Sequence, residues 1–215
     1  MLVAWSKFIP ALILLLTPIA LFHGRRVRYR AIMREWDGYW GRTIGLGLHT
    51  IDLVRAALGA WLLLASLQSA PAAHGMARYG VLITHALVLA LSTSLQSLYC
   101  KETEAANAPF TFTAGIVIGF LPSVMDGYTP LLIAAFSLVL TIVVSAGSRT
   151  GAAYFPVLAI TVAGLTYLFA GRQLLLPLTG LCSAVALPWL LTLLFPRHFV
   201  VPYLSHGTPA EPPKR

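Results

Sequence analysis

VAWSKFIPALILLLTPIALF, residues 3–22, is an apolar run whose only charge is Lys7, and HGRRVRYR, residues 23–30, follows it at once. A cleavable signal peptide carries its charge before the apolar run and small residues after it. Here five arginines within residues 25–34 follow the run, and no A-x-A site precedes them. The stretch therefore predicts an uncleaved membrane anchor whose C-terminal end stays in the cytoplasm.

The composition of the whole chain points the same way. Of the 215 residues, 58% are hydrophobic and 10% are charged, and the mean hydropathy is +0.79. A soluble domain carries about 25% charged residues because its surface must be hydrated. A chain with so few charges is expected to present its outer face to lipid.

Six further apolar runs follow the first. Together they predict an all-α protein, a polytopic transmembrane helix bundle of about seven spans. It forms a single domain over residues 1–205, and a disordered tail covers residues 206–215. The predicted spans are residues 3–22, 48–67, 79–99, 110–125, 131–146, 152–170 and 174–195.

The fourth and fifth runs are short and are joined by the turn signal DGYTP at residues 126–130. They are compatible with two tilted spans or with one re-entrant pair, and we favour two spans. Gly115-Ile-Val-Ile-Gly119 forms a GxxxG pattern, which permits close packing of the fourth helix against a neighbour.

The distribution of basic residues sets the predicted orientation. With the N-terminus outside and the C-terminus in the cytoplasm, eleven of the fifteen basic residues fall on the cytoplasmic side, as the positive-inside rule requires. They are Arg25, Arg26, Arg28, Arg30, Arg34, Arg42, Lys101, Arg149, Arg197, Lys214 and Arg215. The compact loops favour a bacterial inner (plasma) membrane.

The second span opens with HTIDLVR, residues 49–55. Spacings of three residues place His49, Asp52 and Arg55 along one helix face. An ionised side chain inside a span costs about 2.5–3.5 kcal/mol, so Arg55 needs a partner, and Asp52 is the candidate.

The third span carries a matching polar stripe. His85, Ser92 and Gln96 share one heptad face. If the second and third spans form an antiparallel hairpin, Ser92 and Gln96 come level with the pair formed by Asp52 and Arg55. The resulting polar cluster of His49, Asp52, Arg55, Ser92 and Gln96 has two interpretations. It joins helices, or it belongs to a substrate or proton pathway.

The first cytoplasmic loop, residues 23–47, combines basic and aromatic residues. Arg26, Arg30 and Arg34 recur every four residues, and Trp36 and Trp40 belong to a second stripe. A helix with such faces lies in the headgroup layer, where it contacts anionic lipid or a partner membrane protein. The same pattern is explained if the arginines only keep the loop in the cytoplasm and the tryptophans only form an aromatic belt at the membrane surface.

The remaining features exclude several function classes. The net charge of +8 gathers in membrane-flanking loops, so we expect no nucleic-acid partner. The two cysteines form no CxxC pair, and no metal site, cofactor or catalytic motif is predicted. The sequence favours a small transporter or an accessory subunit of a membrane complex. The alternative is an enzyme acting on a lipid or lipid-linked substrate at the cytoplasmic leaflet, with His49 as its acid–base group.

Overall fold

A computed structural model describes residues 3–17, 43–68, 76–97, 109–148 and 153–194 of the protein. These residues form seven α-helices and a 3-10 turn at Gly171–Leu174, with no strand among them. The prediction of an all-α protein is confirmed for the residues that the structure describes. The helices are α1 (Trp5–Leu16), α2 (Thr43–Gln68), α3 (Met76–Ser97), α4 (Pro109–Val124), α5 (Thr129–Ser148), α6 (Tyr154–Ala170) and α7 (Leu175–Leu194).

Helix α2 begins earlier than the apolar pattern predicts. Its first residue is Thr43, within the segment 23–47 that the sequence assigns to the first cytoplasmic loop. Helical hydrogen bonding continues beyond the apolar run, which starts at residue 48. As a result Asp52 and Arg55 lie in the third and fourth turns of the helix rather than at its start.

One helical stretch of the described residues, Thr50–Leu67 in α2, is long and apolar enough to cross a membrane by length and composition. Half of it is buried inside the protein, and the apolar stretches of the other described helices are shorter. The buried core helix of a soluble protein can have the same length and composition.

The helices pack around α4. Helix α2 packs mainly on α4 and α1, α3 mainly on α7, and α6 on both α5 and α7. Phe112, Ile116 and Phe120 of α4 are fully buried, and no large hydrophobic residue of this helix is exposed. The surrounding helices instead expose apolar stripes with helical spacing, such as Ile83, Leu87 and Leu91 on α3.

Helix α2 runs antiparallel to α1 and parallel to α4. The backbone amide of Ala4 donates to the carbonyl of Ser66, and Leu15 contacts Gly59, so α1 and α2 are antiparallel. Contacts between α2 and α4 advance together along both helices, from Leu53 against Gly115 to Ala57 against Gly119, so this pair is parallel. The C-terminus of α1 and the N-terminal parts of α2 and α4 therefore lie at one end of the bundle.

The glycines of the GxxxG pattern allow α4 to touch the backbone of α2. A Cβ atom at Gly115 would lie 2.4 Å from the carbonyl oxygen of Leu53, and one at Gly119 would lie 2.0 Å from that of Ala57. Neither backbone atom can move away independently of its helix. The close approach that the pattern permits is present, and it fixes the distance between the two helices.

We predict that Gly119→Ala destabilises the protein by about 1–3 kcal/mol, because the added methyl group forces α4 away from α2. Gly164→Ala in α6 is the matched control, since a Cβ there meets no atom within 4 Å. This control should leave stability unchanged or raise it by about 0.5–1 kcal/mol. Denaturation of the detergent-solubilised variants measures both, and equal stability of the two variants would contradict this packing.

Candidate functional site

The candidate site is the buried ion pair between Arg55 and Asp52, one helical turn apart on α2. Nη2 of Arg55 lies 2.5 Å from Oδ1 of Asp52. Asp52 is fully buried and Arg55 is 8% exposed. At such burial the screening that weakens surface ion pairs is largely absent, so separating the two charges is costly.

The second partner of Arg55 comes from the end of α1. Nη1 of Arg55 donates to the carbonyl oxygen of Thr17. Thr17 has extended backbone angles (φ −73°, ψ 115°), as expected of a residue before a proline, here Pro18. Helix α1 thus ends at the ion pair, and the partial negative charge of its C-terminus faces the guanidinium.

The amide of Gln96 reaches the same carbonyl oxygen from α3. Its Nε2 donates to Thr17 at 3.3 Å, so α1 stands between α3 and the ion pair. Helices α2 and α3 contact each other less extensively than α2 contacts α1 and α4 or α3 contacts α7. The hairpin that would bring Ser92 and Gln96 level with the ion pair stays a prediction. Ser92 is buried but donates to the carbonyl of Leu89 in its own helix, at 2.8 Å.

The first turn of α4 completes the site. The hydroxyl of Thr111 donates to Oδ2 of Asp52 at 3.3 Å. The guanidinium carbon of Arg55 lies 5.2 Å from the centroid of the Phe112 ring, a cation–π distance. Four helices therefore contribute to the cluster that we call the Arg55 clamp, made of Thr17, Asp52, Arg55, Gln96, Thr111 and Phe112.

The geometry of the clamp limits its chemistry. Both terminal nitrogens of Arg55 are engaged, by Asp52 and by Thr17, which fixes the orientation of the guanidinium. The backbone of His49 lies in α2, but its side chain is outside the described residues. The predicted acid–base role of His49 in the enzyme alternative therefore remains a prediction.

The predicted first-loop contacts Arg26, Arg30, Arg34, Trp36 and Trp40 also lie outside the described residues. So does the predicted tail over residues 206–215. Their proposed contacts with anionic lipid or a partner remain predictions.

Sequence reasoning missed Thr17, Thr111 and Phe112. A signal for Thr111 exists, because Thr111, Gly115 and Gly119 are spaced by four and share the face of α4 that packs on α2. A signal for Thr17 also exists, because Pro18 predicts the end of the helix before it. No signal in the sequence marks the ring of Phe112 as a partner of Arg55.

A second set of buried polar atoms has no hydrogen-bond partner among the described residues. It includes Nε of Arg55, Nε2 of His85 and the hydroxyl groups of Ser137, Thr141 and Thr166. These groups come from α2, α3, α5 and α6. Buried polar groups are nearly always hydrogen-bonded, so each of them is expected to bind water, a ligand or a group outside the described residues. Within the described residues, no group of His, Cys, Asp and Glu side chains could hold a metal ion.

Comparison of the chain with protein-family models, curated proteins and solved structures finds no match.

We predict that Asp52→Leu and Arg55→Leu each destabilise the protein by about 3–5 kcal/mol, because each leaves one buried charge without its partner. The double variant should lose clearly less than the sum of the two single losses. Gln96→Leu removes hydrogen bonding by a neutral amide but no charge, and should lose about 1 kcal/mol. Unfolding curves of the four variants in detergent test this, and strict additivity of the two charge variants would contradict a coupled pair.

Proposed function

We propose that the protein is an integral membrane protein of seven spans, with the N-terminus outside and the C-terminus in the cytoplasm, and that it works as a small transporter. The first support is its outer surface. Large apolar side chains are exposed on every described helix except α4, among them Trp5, Trp61, Phe136 and Phe169. An apolar surface of this extent is unstable in water and stable in lipid.

The distribution of charge also favours a bilayer. Among the described side chains, the exposed charged ones are Lys7 and Asp126. Lys7 lies in the first turn of α1 and Asp126 in the turn between α4 and α5, so both lie at the end of the bundle opposite the Arg55 clamp. Among the described residues, no exposed charged side chain lies on the sides of the bundle between its two ends. This is the pattern of a helix bundle whose sides contact hydrocarbon.

The direction of the helices is compatible with seven crossings. Ends of α1, α2 and α4 meet at the clamp, and Tyr154 at the start of α6 donates to the carbonyl of Phe110 at the start of α4, at 3.1 Å. Even-numbered helices thus begin at the clamp end. The basic loops assign that end to the cytoplasm, and a bacterial plasma membrane suits the short loops.

The observation that carries the transport proposal is the set of unpartnered buried polar atoms on four helices. A purely structural bundle in lipid gains nothing from hydroxyl and imidazole groups left without partners in its interior. In a transporter these groups contact water or substrate as it passes. An accessory subunit would need no such interior, so we prefer transport, with the first loop as a surface for anionic lipid or a partner protein.

The transport proposal predicts that polar positions inside the bundle react with water-soluble thiol reagents. The starting protein carries Cys100→Ser and Cys182→Ser. Ser137→Cys and Thr141→Cys should react with a membrane-impermeant reagent, because water must reach them during transport. Ala134→Cys on the same helix, buried and apolar, should not react. Tyr128→Cys, at an exposed residue of the α4–α5 turn, should react in intact cells.

Labelling of position 128 only in inside-out vesicles would contradict the orientation. Absence of labelling at positions 137 and 141 from both sides would contradict transport. In that case native mass spectrometry of gently extracted protein should find a stoichiometric partner, as expected of an accessory subunit.

A further inference from the structure

His85 is a titratable side chain deep inside the described bundle, and it belongs to no ion pair there. It is 2% exposed, and its Nε2 has no partner among the described residues. The apolar surroundings favour the neutral ring at rest. An imidazole is nevertheless the side chain best suited to take up and release a proton near neutral pH.

The ring of Phe120 lies against His85, with centroids 5.2 Å apart and the ring planes at 41°. The Arg55 guanidinium lies at the same distance from Phe112, two turns earlier on the same helix. Two rings of α4 thus each contact one basic side chain, Phe112 that of Arg55 and Phe120 that of His85. An aromatic ring at this distance stabilises a cation, so the Phe120 contact lowers the cost of charging His85.

The depth of His85 suits exchange between two compartments. Gln96 on the same helix reaches the Arg55 clamp, and 11 residues of helix separate it from His85, about 16 Å along the axis. The hydrocarbon core of a bilayer is about 30 Å thick. His85 lies near the middle of α3 (Met76–Ser97), so the proposed crossing of the bilayer by this helix places it near the centre of the hydrocarbon core.

No carboxylate on the helices that pack against α3 faces His85 without a partner of its own. On α2, Asp52 is bound to Arg55, and on α1 the only charged side chain, Lys7, is exposed. The titratable side chain of α7, Cys182, donates to the carbonyl of Ala159 at 3.4 Å, and α4 has none in its described length. The other groups of this kind on α2 and α3 are His49, Arg78 and Tyr79, whose side chains are outside the described residues.

We propose that His85 is a proton-binding site in the interior of the protein, which couples the proposed transport to protons. One proton from water binds the imidazole ring and adds one positive charge, and the ring of Phe120 stabilises it. The coupling rests on the proposed function, whereas the binding of the proton does not.

Solid-state NMR of the full-length protein, labelled with 15N in histidine and reconstituted in lipid vesicles, tests the site directly. Between about pH 8 and about pH 4, the ring nitrogens of His85 should change reversibly from the neutral to the protonated form. The variant His85→Gln assigns the signal. A neutral ring over the whole range, in protein that stays folded, would overturn the proposal.

Phe120→Leu should move the midpoint of this titration toward acid, by about one pH unit or less, because the ring no longer stabilises the charge. Phe110→Leu is the matched control on the same helix and should leave the midpoint unchanged, since its ring packs on Tyr154 and Phe155. Equal shifts in both variants would overturn the role of Phe120.

If His85 titrates but the interior positions 137 and 141 do not react with thiol reagents, the proton site stands and the transport proposal fails. If those positions react but His85 does not titrate, the transport proposal stands and the proton site fails.

Discussion

A guanidinium that stays protonated must be neutralised wherever the fold buries it, and α2 buries Arg55 to 8% exposure. Asp52 supplies a full negative charge, Thr17 the partially negative end of α1, and Phe112 the face of its ring. Each partner comes from a different turn or helix. Neutralising this one cation therefore fixes where α1 ends and how α2 and α4 are aligned.

The central position of α4 follows from a second constraint, the close contact of its glycines with the backbone of α2. Because Gly115 and Gly119 have no side chains, α2 approaches closely enough for Thr111, one turn before them, to reach Asp52. Packing and electrostatics thus support each other on one face of α4. The surrounding helices expose apolar stripes, and the core of the bundle holds a set of buried polar side chains beside its hydrophobic residues.

The helical class and the pair formed by Asp52 and Arg55 could be predicted from the sequence, because hydrophobic runs and spacings along one helix are local properties. The partners from other helices could be predicted only in part. Pro18 marks the end of α1, and the four-residue spacing with Gly115 and Gly119 marks the helix face of Thr111. Nothing in the sequence shows that these groups and the ring of Phe112 meet at Arg55, because that meeting is a matter of tertiary packing. The extensive contact between α2 and α4 depends in the same way on how closely the glycines of α4 approach α2.

The central claim is that the end of α1 binds Arg55, and a distance measurement between the two groups tests it most directly. Protein labelled with 13C at threonine carbonyls and 15N in arginine, reconstituted in lipid vesicles, is suited to solid-state NMR. We predict a strong dipolar coupling between the Thr17 carbonyl and the terminal nitrogens of Arg55, which is lost in Arg55→Leu. A Thr17 carbonyl without coupling to any arginine nitrogen would contradict the account.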